Sequence, residues 1–387
     1  MKKALCLTIT VIALASVCCR AAAAEEAPRL EKALGGLKGT VEIVIDTYGI
    51  PHIYAENEAD AMFALGYLHA KDRLWQMDFN RRAAQGTLSE IMGPDALEHD
   101  TFVRTIGLNR LARTSAKRAE NHKGLHENLT AYAWGVNSFM AENMPEGLSP
   151  EFGRLDYLPG PWTPVDSLSL AKAMAWELCG SFDDLYLGTL VEKLGPEAVD
   201  ELFPFDRYKE TPIMPPRRSR KRLGDATLPT ETPAVPSGAF SLGEAYAAIM
   251  AKASYRFRVL GDERTVGSNN WVIDGKKSAT GKPILASDPH LGFQLPSVWY
   301  AAHVKAGNLD VMGVTLPGLP SIIVGHNRHI AWGVTNTQAD VTDFFIEKLN
   351  EDRTRYLHEG EWKPLEIFAE TIKVRGLEPR ELKIPVT

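Results

Sequence analysis

The spacing of apolar residues changes once along this 387-residue chain, and the change limits the fold more than any other feature. Apolar side chains recur at helical spacing over residues 59–84, and further helix patterns continue to Leu194. After Ser268 the apolar residues form short runs typical of strands, the first at 270–273 and the last at 344–348. The sequence therefore predicts a mostly helical block followed by a β-rich block, an α+β fold.

A proline-rich segment separates the two blocks, and it contains the basic run RRSRKR at residues 217–222. A basic run can bind nucleic acid, but the net charge of −6 and the surrounding prolines favour a solvated linker. A linker of this kind in an exported protein is a site for proteolysis. We therefore expect a helical region at 25–205, a spacer at 206–267 and a β-rich region at 268–387.

The amino terminus has the composition of a secretory signal. Two lysines precede an apolar run at residues 4–17, and four alanines follow at 21–24. The run is too short to cross a bilayer comfortably. We expect residues 1–24 to be removed and the protein to be secreted or periplasmic. Cys18 and Cys19 also permit a lipoprotein signal, although Val17 occupies a place where a small residue is needed.

Three large or reactive side chains are expected in the core. If the signal is cleaved after Ala24, Cys179 is the one cysteine of four that is left, so no internal disulfide can form. A small buried apolar role fits Cys179 better than nucleophilic catalysis. Trp271 and Trp332 each lie inside an apolar strand pattern, which also favours burial.

Ser268 opens the β-rich block, directly after Gly267. If the Gly267–Ser268 bond is cut, Ser268 gains an α-amine with a pKa of about 7.7–8.0, which can accept the hydroxyl proton. The alternative is a Ser-His-Asp triad, but Val266 and Asn270 occupy the places of the G-x-S-x-G flag. Gly-Ser is a common dipeptide, so the residues alone leave both arrangements and an ordinary loop open.

Longer motifs carry more information than the dipeptide. Residues 46–93 begin DTYGIPHIYAENEADAMFALG, residues 132–139 read YAWGVNSF, and residues 158–178 begin LPGPWTPVD. Residues 266–300 begin VGSNNWVIDG, and residues 317–345 begin PGLPSIIVGHN. In this order the motifs resemble the penicillin acylase family of N-terminal-nucleophile hydrolases. The first three are similar to its α chain and the last two to its β chain.

This resemblance implies a fold and a maturation route. The fold is a four-layer αββα sandwich, incomplete here because family β chains extend well beyond the place that Thr387 matches. A secreted precursor loses its spacer and becomes an α/β heterodimer. The missing part carries a second oxyanion-hole residue, an asparagine, and the arginine that orients it. The chain is therefore expected to be part of a precursor, the product of a broken gene, or half of a split enzyme.

The resemblance also implies roles for individual residues. Gly267 and Ser268 match the autocleavage site, and Ser268 matches the nucleophile with its own base. His290 matches a position beside the serine, where its backbone amide can help to hold the oxyanion. Asn336 matches the residue whose backbone N–H forms part of the oxyanion hole. Positions lining the acyl pocket match three apolar residues: Leu291, Val324 and, in the α-chain helix, Met174.

A calcium loop is implied by DVTD at residues 340–343, with Asp340 and Asp343 as carboxylate ligands and Thr342 offering its carbonyl. Taken alone, two aspartates three residues apart are more often a solvated turn. The family takes a further ligand from the α chain, and nearby acidic residues are candidates: Glu177, Asp183 and Asp184. No organic cofactor is expected.

The expected function is a secreted penicillin amidase-like hydrolase of linear amides. It would cleave the side-chain amide of N-acylated substrates: penicillins, cephalosporins or acyl-homoserine lactones. His290 shifts the expectation away from narrow phenylacetyl specialists. The expected partners are a small-molecule substrate and the other chain of the heterodimer, with no nucleic acid and no stable membrane span. The alternative is a truncated, non-catalytic remnant or an unprocessed secreted protein of the same family.

Overall fold

The computed structural model describes residues 32, 34–179, 183–203, 243–244, 247–248, 267–336 and 341–387. The predicted signal sequence, most of the predicted spacer, and Asp340 lie outside the described residues, as does the side chain of Cys179. The helices and strands of the described part all lie within the unit Gly36–Thr387. None of these helices is long and apolar enough to cross a lipid bilayer.

Nine α-helices follow the first two strands and stand in the predicted helical region. In chain order they are α1 (Glu58–Gln85), α2 (Ser89–Met92), α3 (Leu97–Ile106), α4 (Leu108–Ala119), α5 (Lys123–Asn143), α6 (Pro150–Arg154), α7 (Pro164–Cys179), α8 (Asp183–Leu194) and α9 (Pro196–Leu202). This count refers to the described residues, and short 3₁₀ turns occur at Gly93–Ala96 and Gly275–Lys277.

Helix α1 begins and ends on recognisable capping residues. The side chain of Asn57 accepts a hydrogen bond from the backbone N–H of Asp60, and Gly86 ends the helix with a left-handed φ of 66°. A kink at Arg73, where φ is −142°, divides the helix. Its buried side chains include Phe63, Leu65 and Met77, so α1 is surrounded by other elements along much of its length.

Two glycines let α1 and α5 approach each other closely. A Cβ on Gly66 would lie 2.2 Å from the carbonyl oxygen of Tyr132, and a Cβ on Gly135 would lie 1.9 Å from that of Phe63. No side chain larger than hydrogen fits at either contact, because the backbones of the two helices meet there. The core of the molecule is built around this crossing.

The largest sheet combines strands from both blocks. Its order is β1 (Glu42–Ile45), β2 (Pro51–Ala55), β5 (Tyr300–Ala306), β6 (Leu309–Thr315), β7 (Val324–Asn327) and β8 (Ala331–Trp332). Every pairing is antiparallel except β2–β5, which is parallel with His52 opposite His303. Ile53, Ala302 and Val304 are fully buried in the core beside α1. The sheet therefore joins residues before the spacer to residues after it.

Six further strands form three two-stranded antiparallel ribbons: β3 (Gly267–Ile273) with β4 (Ile284–His290), β9 (Arg355–His358) with β10 (Glu361–Pro364), and β11 (Glu366–Ile372) with β12 (Arg380–Val386). The last ribbon is held to the helices by charge. Glu370 accepts hydrogen bonds from Arg110 at 2.7 Å and Arg104 at 3.4 Å. The backbone N–H of Arg375 also donates to the Ser89 carbonyl at 2.9 Å.

The α+β class is confirmed, and within the described residues the sandwich is incomplete, with one six-stranded sheet and separate ribbons. Two sequence expectations were wrong. Residues 344–348 form no strand, and their side chains are exposed. Within the described residues only the end of this run meets a strand, where the Lys348 carbonyl accepts from the Leu357 N–H of β9 at 2.9 Å. Trp271 is 54% exposed, and the strand alternation places it on the face of the β3–β4 ribbon opposite to Ser268 and Asn270. Trp332 is half-buried, with its Nε1–H donating to the Ile323 carbonyl at 3.0 Å.

Candidate active site

Ser268 is the second residue of β3, and its hydroxyl lies over the preceding peptide bond. The Ser268 Oγ donates a hydrogen bond to the carbonyl oxygen of Gly267 at 2.6 Å. In the ribbon Ser268 is opposite Pro289, and Gly267 is opposite His290. Ser268 is half-buried and Gly267 is exposed. The hydroxyl is therefore adjacent to the carbonyl group of the bond that the sequence predicts to be cut.

The pleat of the ribbon separates the serine from the histidine ring. Successive side chains of a strand point to opposite faces, so Ser268 shares one face with Asn270 and Ser287, while His290 belongs to the other. The His290 ring is exposed, and its Nε2 lies 2.9 Å from Asp288 Oδ2. A role for His290 through its backbone amide does not require the ring to face Ser268, and that role stays a prediction.

The segment 333–336, directly after β8, crosses the face of the ribbon that carries Ser268. A Cβ on Gly333 would lie 2.6 Å from Ser287 Cβ and 2.8 Å from Asn270 Nδ2, so the backbone of the segment touches this face. Thr335 Oγ1 donates to the Ser268 carbonyl oxygen at 3.4 Å. The next residue, Asn336, is therefore one position from a direct contact with Ser268.

Helix α7 ends beside Asn336. The side-chain Nδ2 of Asn336 donates to the carbonyl oxygen of Leu178 at 2.5 Å. Leu178 belongs to the last turn of α7, where backbone carbonyls lack partners within the helix. The segment 333–336 thus contacts both the start of β3, through Thr335, and the end of α7, through Asn336.

A small cavity lies beside α7, more than one helical turn before the end of the helix. Met174 and Leu170 of α7 line it together with Leu316 and Leu319, and the polar side chains of Gln76 and Asn80 close it from α1. Leu291 and Val324 do not line this cavity; both are half-buried, and Leu291 packs against the main core. This cavity therefore contains one of the three predicted pocket residues, and the roles of all three stay predictions.

A buried histidine positions the turn that lines this cavity, and sequence reasoning missed it. His69 in α1 is fully buried. Its Nε2 is 2.8 Å from Thr315 Oγ1, and its Nδ1 is 2.8 Å from the hydroxyl of Tyr132. The Tyr132 oxygen also accepts a hydrogen bond from the backbone N–H of Gly318 at 2.8 Å. The turn 316–319 is therefore fixed to α5 and α1.

The hydrogen-bond directions around His69 determine its tautomer. Thr315 Oγ1 donates to the carbonyl of Tyr300 at 3.0 Å, so it must accept from His69 Nε2–H. His69 Nδ1 is then unprotonated and accepts from the Tyr132 hydroxyl. Burial lowers the pKa of His69 to about 3, with a smaller contribution from Arg73, so the ring is neutral at physiological pH. An apolar helical pattern gave no sign of this network.

The family of the chain follows from comparison with known proteins. The family model described as penicillin amidase matches residues 40–387, which is most of the chain. The chain belongs to the penicillin amidase family. Relatives of this chain are named as acylases.

Three relatives show the extent of the similarity. Penicillin acylase 2 proenzyme of Pseudomonas sp. (strain SE83) is 34% identical over 355 residues, covering 91% of this chain and 43% of that protein. Acyl-homoserine lactone acylase QuiP of Pseudomonas aeruginosa is 32% identical, covering 89% and 39%. Penicillin G acylase of Escherichia coli is 29% identical, covering 87% and 43%. The chain thus spans about two fifths of the length of these relatives.

A solved structure also matches this penicillin amidase chain in part. The thermostable penicillin G acylase from Alcaligenes faecalis is 25% identical, with a TM-score of 0.39. The match covers 46% of this chain and 98% of that chain.

The described residues hold only part of the predicted calcium loop. Thr342 is half-buried and Asp343 is exposed, while Asp340 lies outside the described residues. Calcium takes six to eight oxygen ligands, so these two residues are too few to form its site. Within the part of the chain that the structure describes, no three His, Cys, Asp or Glu side chains converge on a metal position. Calcium in this penicillin amidase chain stays a prediction from the sequence.

Proposed function

We propose that Ser268 is the nucleophile of an exported acylase and becomes the first residue of a β chain when the Gly267–Ser268 bond is cut. The observation that carries the proposal is the 2.6 Å hydrogen bond from Ser268 Oγ to the Gly267 carbonyl oxygen. It places the hydroxyl beside the one carbonyl group that must be attacked for self-cleavage. Membership of the penicillin amidase family supports the same assignment. In this proposal residues 25–205 supply the α chain and 206–267 the spacer.

Cleavage needs only the serine and a water molecule. Ser268 Oγ attacks the Gly267 carbonyl carbon, and the new C–O bond closes a five-membered ring through Cβ, Cα and the amide nitrogen. The C–N bond then breaks, the nitrogen takes up the hydroxyl proton and an ester remains. Water hydrolyses the ester, which leaves a carboxylate on Gly267 and restores the Ser268 hydroxyl. Glycine suits the first position because it leaves the carbonyl unhindered.

The free α-amine of Ser268 then serves as the base for substrate hydrolysis. Its ordinary pKa of about 7.7–8.0 leaves a useful fraction unprotonated near neutral pH. The amine accepts the hydroxyl proton while Oγ attacks the carbonyl carbon of the substrate amide. The C–N bond of the substrate breaks, and the proton passes to the leaving amine. Water then hydrolyses the acyl-serine ester, the acid leaves and Oγ regains a proton.

Backbone amides near Ser268 would hold the negative charge on the substrate oxygen. The segment 333–336 crosses the face of the ribbon that carries Ser268, which supports Asn336 as one donor. The backbone amide of His290 is proposed as another, from the strand opposite Gly267. Loss of one such donor typically lowers the rate by about 10²–10³-fold. A donor in the segment 333–336 would therefore contribute strongly to the rate by stabilising the charge on this oxygen.

The proposed substrates are N-acylated amines. Relatives of this chain are named as penicillin acylases and acyl-homoserine lactone acylases, and both names denote removal of an acyl group from an amine. Leu291, Val324 and Met174 are the proposed lining of the acyl pocket. The hydrogen bond from Asn336 to the Leu178 carbonyl supports a place for α7, the helix that carries Met174, in this pocket. Export through the signal at 1–24 completes the proposal.

Mass spectrometry of the expressed chain tests the first step. Ser268→Ala removes the hydroxyl, so we expect it to abolish formation of the fragment that begins at residue 268. Ser278→Ala is the matched control, because Ser278 lies in the turn between β3 and β4 and contacts only that turn. The control should form the fragment at the wild-type rate. An intact wild-type chain after prolonged incubation would favour the alternative, an unprocessed and non-catalytic protein.

Turnover of a chromogenic N-acyl amide tests the second step. We expect activity to appear with the fragment and to be lost in Ser268→Ala but kept in Ser278→Ala. Activity that persists in a chain with an intact Gly267–Ser268 bond would contradict the N-terminal-nucleophile mechanism. It would favour a serine or another nucleophile that works without a free α-amine.

A further inference from the structure

Two histidines face each other where the two blocks of the chain join. His52 of β2 and His303 of β5 are opposite residues in the parallel pairing of the central sheet. Their Nδ1 atoms are 3.0 Å apart, which is an ordinary hydrogen-bond distance. The rings meet edge to face, with centroids 5.2 Å apart and an interplanar angle of 78°. Both side chains are largely buried, with 22% and 16% of their surface exposed.

Each ring uses its other nitrogen to contact a carboxylate. His303 Nε2 lies 3.1 Å from Asp310 Oδ1, and His52 Nε2 lies 3.4 Å from Asp46 Oδ2. The hydrogen bond from His303, followed by that from Arg328, lowers the pKa of Asp310. Two backbone N–H groups, those of Ile50 and Tyr48, help to lower the pKa of Asp46. Both carboxylates are therefore ionised near neutral pH and can only accept hydrogen bonds.

The contacts of the two rings require one proton more than two neutral imidazoles carry. The three contacts need a proton on each Nε2 and one more between the two Nδ1 atoms, which makes three protons on four nitrogens. Two neutral imidazoles supply only two. A neutral pair would leave either two lone pairs facing each other at 3.0 Å or a ring nitrogen facing a carboxylate. A third proton satisfies every contact, and a fourth would place two N–H groups against each other.

We propose that His52 and His303 form a binding site for a single proton, which holds β2 against β5 and is disrupted when a second proton binds. With one proton the pair carries one positive charge. Asp46 and Asp310 contribute two negative charges and Arg328 one positive charge, so the closed cluster is neutral. With two protons, adjacent imidazolium rings repel each other and no acceptor lies between them. The junction between the residues before and after Gly267 is therefore sensitive to acid.

Other titratable groups lie on the same side of the sheet near the two histidines, but they do not take the place of the two carboxylates. Lys305 is opposite both Tyr54 and Asp310, and the Tyr54 ring meets His303 edge on at 5.7 Å. His326 is opposite Met312, the residue that pairs with His303, so it is two strands away from the pair. Glu42 is opposite Tyr54 at the sheet edge. Among the residues that the structure describes, only Asp46 and Asp310 contact the ring nitrogens of the pair through a carboxylate.

The pH dependence of the melting temperature, Tm, gives the first test. As pH falls below about 6.5, two histidines in the unfolded chain take up two protons, but the closed pair holds only one. The unfolded state then binds more protons, so the folded state loses stability. We expect the wild-type Tm to fall between pH 6.5 and 5 by roughly 2–4 °C more than that of His303→Gln. His326→Gln, which removes a histidine from the same sheet face, should keep the wild-type profile. Parallel profiles for wild type and His303→Gln would overturn the proposal.

Nitrogen NMR of the wild-type chain gives a second test that needs no stable variant. Long-range proton–nitrogen spectra count the protonated ring nitrogens of each histidine. At pH 7 we expect the pair to show three protonated nitrogens, with the charge shared between the rings or localised on one. Two neutral, singly protonated rings would overturn the proposal. Neither test depends on whether Ser268 acts as a nucleophile.

Discussion

At the residue scale, the buried network around His69 makes a prediction about acid stability. The folded-state pKa of His69 is depressed to about 3, whereas a histidine in an unfolded chain titrates near 6.5. The unfolded state therefore binds the proton first as pH falls. The contribution of His69 to stability is complete above about pH 6.5 and is lost progressively down to about pH 3, at up to about 1.4 kcal/mol per pH unit.

His69→Gln tests this prediction, because glutamine can accept from Tyr132 and donate to Thr315 but does not titrate. Urea unfolding at pH 7 should show a loss of about 1–3 kcal/mol from imperfect hydrogen bonding in the variant. Between pH 6.5 and 5 the variant should lose up to about 2 kcal/mol less than wild type, since it takes up no proton at this position on unfolding. Equal losses in both proteins over this range would contradict the assignment of a neutral, buried His69.

The candidate site could be predicted only in part from its residues. Gly267 and Ser268 begin a clean strand pattern after a proline-rich segment, so their position was visible in the sequence. The face of the ribbon on which each side chain lies depends on strand register, which pairs Gly267 with His290. His69 gave no signal, because a single histidine in an apolar helix pattern does not reveal its partners 63 and 246 residues away.

At the element scale, the crossing of α1 and α5 is the most restrictive contact. A methyl group at residue 135 would overlap the carbonyl oxygen of Phe63, and backbone atoms cannot rotate away. We expect Gly135→Ala to lower the free energy of unfolding by about 3 kcal/mol, the upper part of the range for overpacking. Denaturant titration measures this loss.

Gly124→Ala is the matched control for that substitution. Gly124 lies in the first turn of the same helix, and a Cβ there would meet nothing within 4 Å. Alanine is the better helix former, so the control should be neutral or more stable by up to about 1 kcal/mol. If both variants lost stability equally, the close approach of α1 and α5 would not be the cause.

Element type could be predicted wherever one pattern extended over many residues. The helical spacing of residues 59–84 corresponds to α1, and the caps at Asn57 and Gly86 are residue types typical of those positions. The apolar run at 344–348 was misleading because, within the described residues, pairing with β9 begins only at its end, where the Lys348 carbonyl accepts from the Leu357 N–H. The real strands nearby, β9 to β12, pair as hairpins, and β11 with β12 is anchored through Glu370 to helices far earlier in the chain.

At the scale of the whole molecule, the central sheet decides what happens after the proposed cleavage. The contact between β2 and β5 lies deep in the core, where Ile53 and Val304 are fully buried. The β11–β12 ribbon adds the charged contact of Glu370 with Arg110. These contacts lie on both sides of residue 267 and do not depend on the peptide bond there. The cut chain is therefore predicted to stay together as an α/β heterodimer.

Size-exclusion chromatography before and after denaturation measures this association. The two fragments should elute as one species in native buffer and separate in guanidinium chloride. Separation in native buffer at neutral pH would show that the sheet does not hold the halves together. The uncut Ser268→Ala chain provides the reference elution volume for the native species.

We propose that the Ser268 hydroxyl acts from a chain end that carries its own amine. Labelling with a serine-directed sulfonyl fluoride, followed by peptide mapping, tests it most directly. We expect the label on a peptide whose first residue is Ser268. A label on a peptide that still contains the intact Gly267–Ser268 bond, or on a different serine, would contradict it.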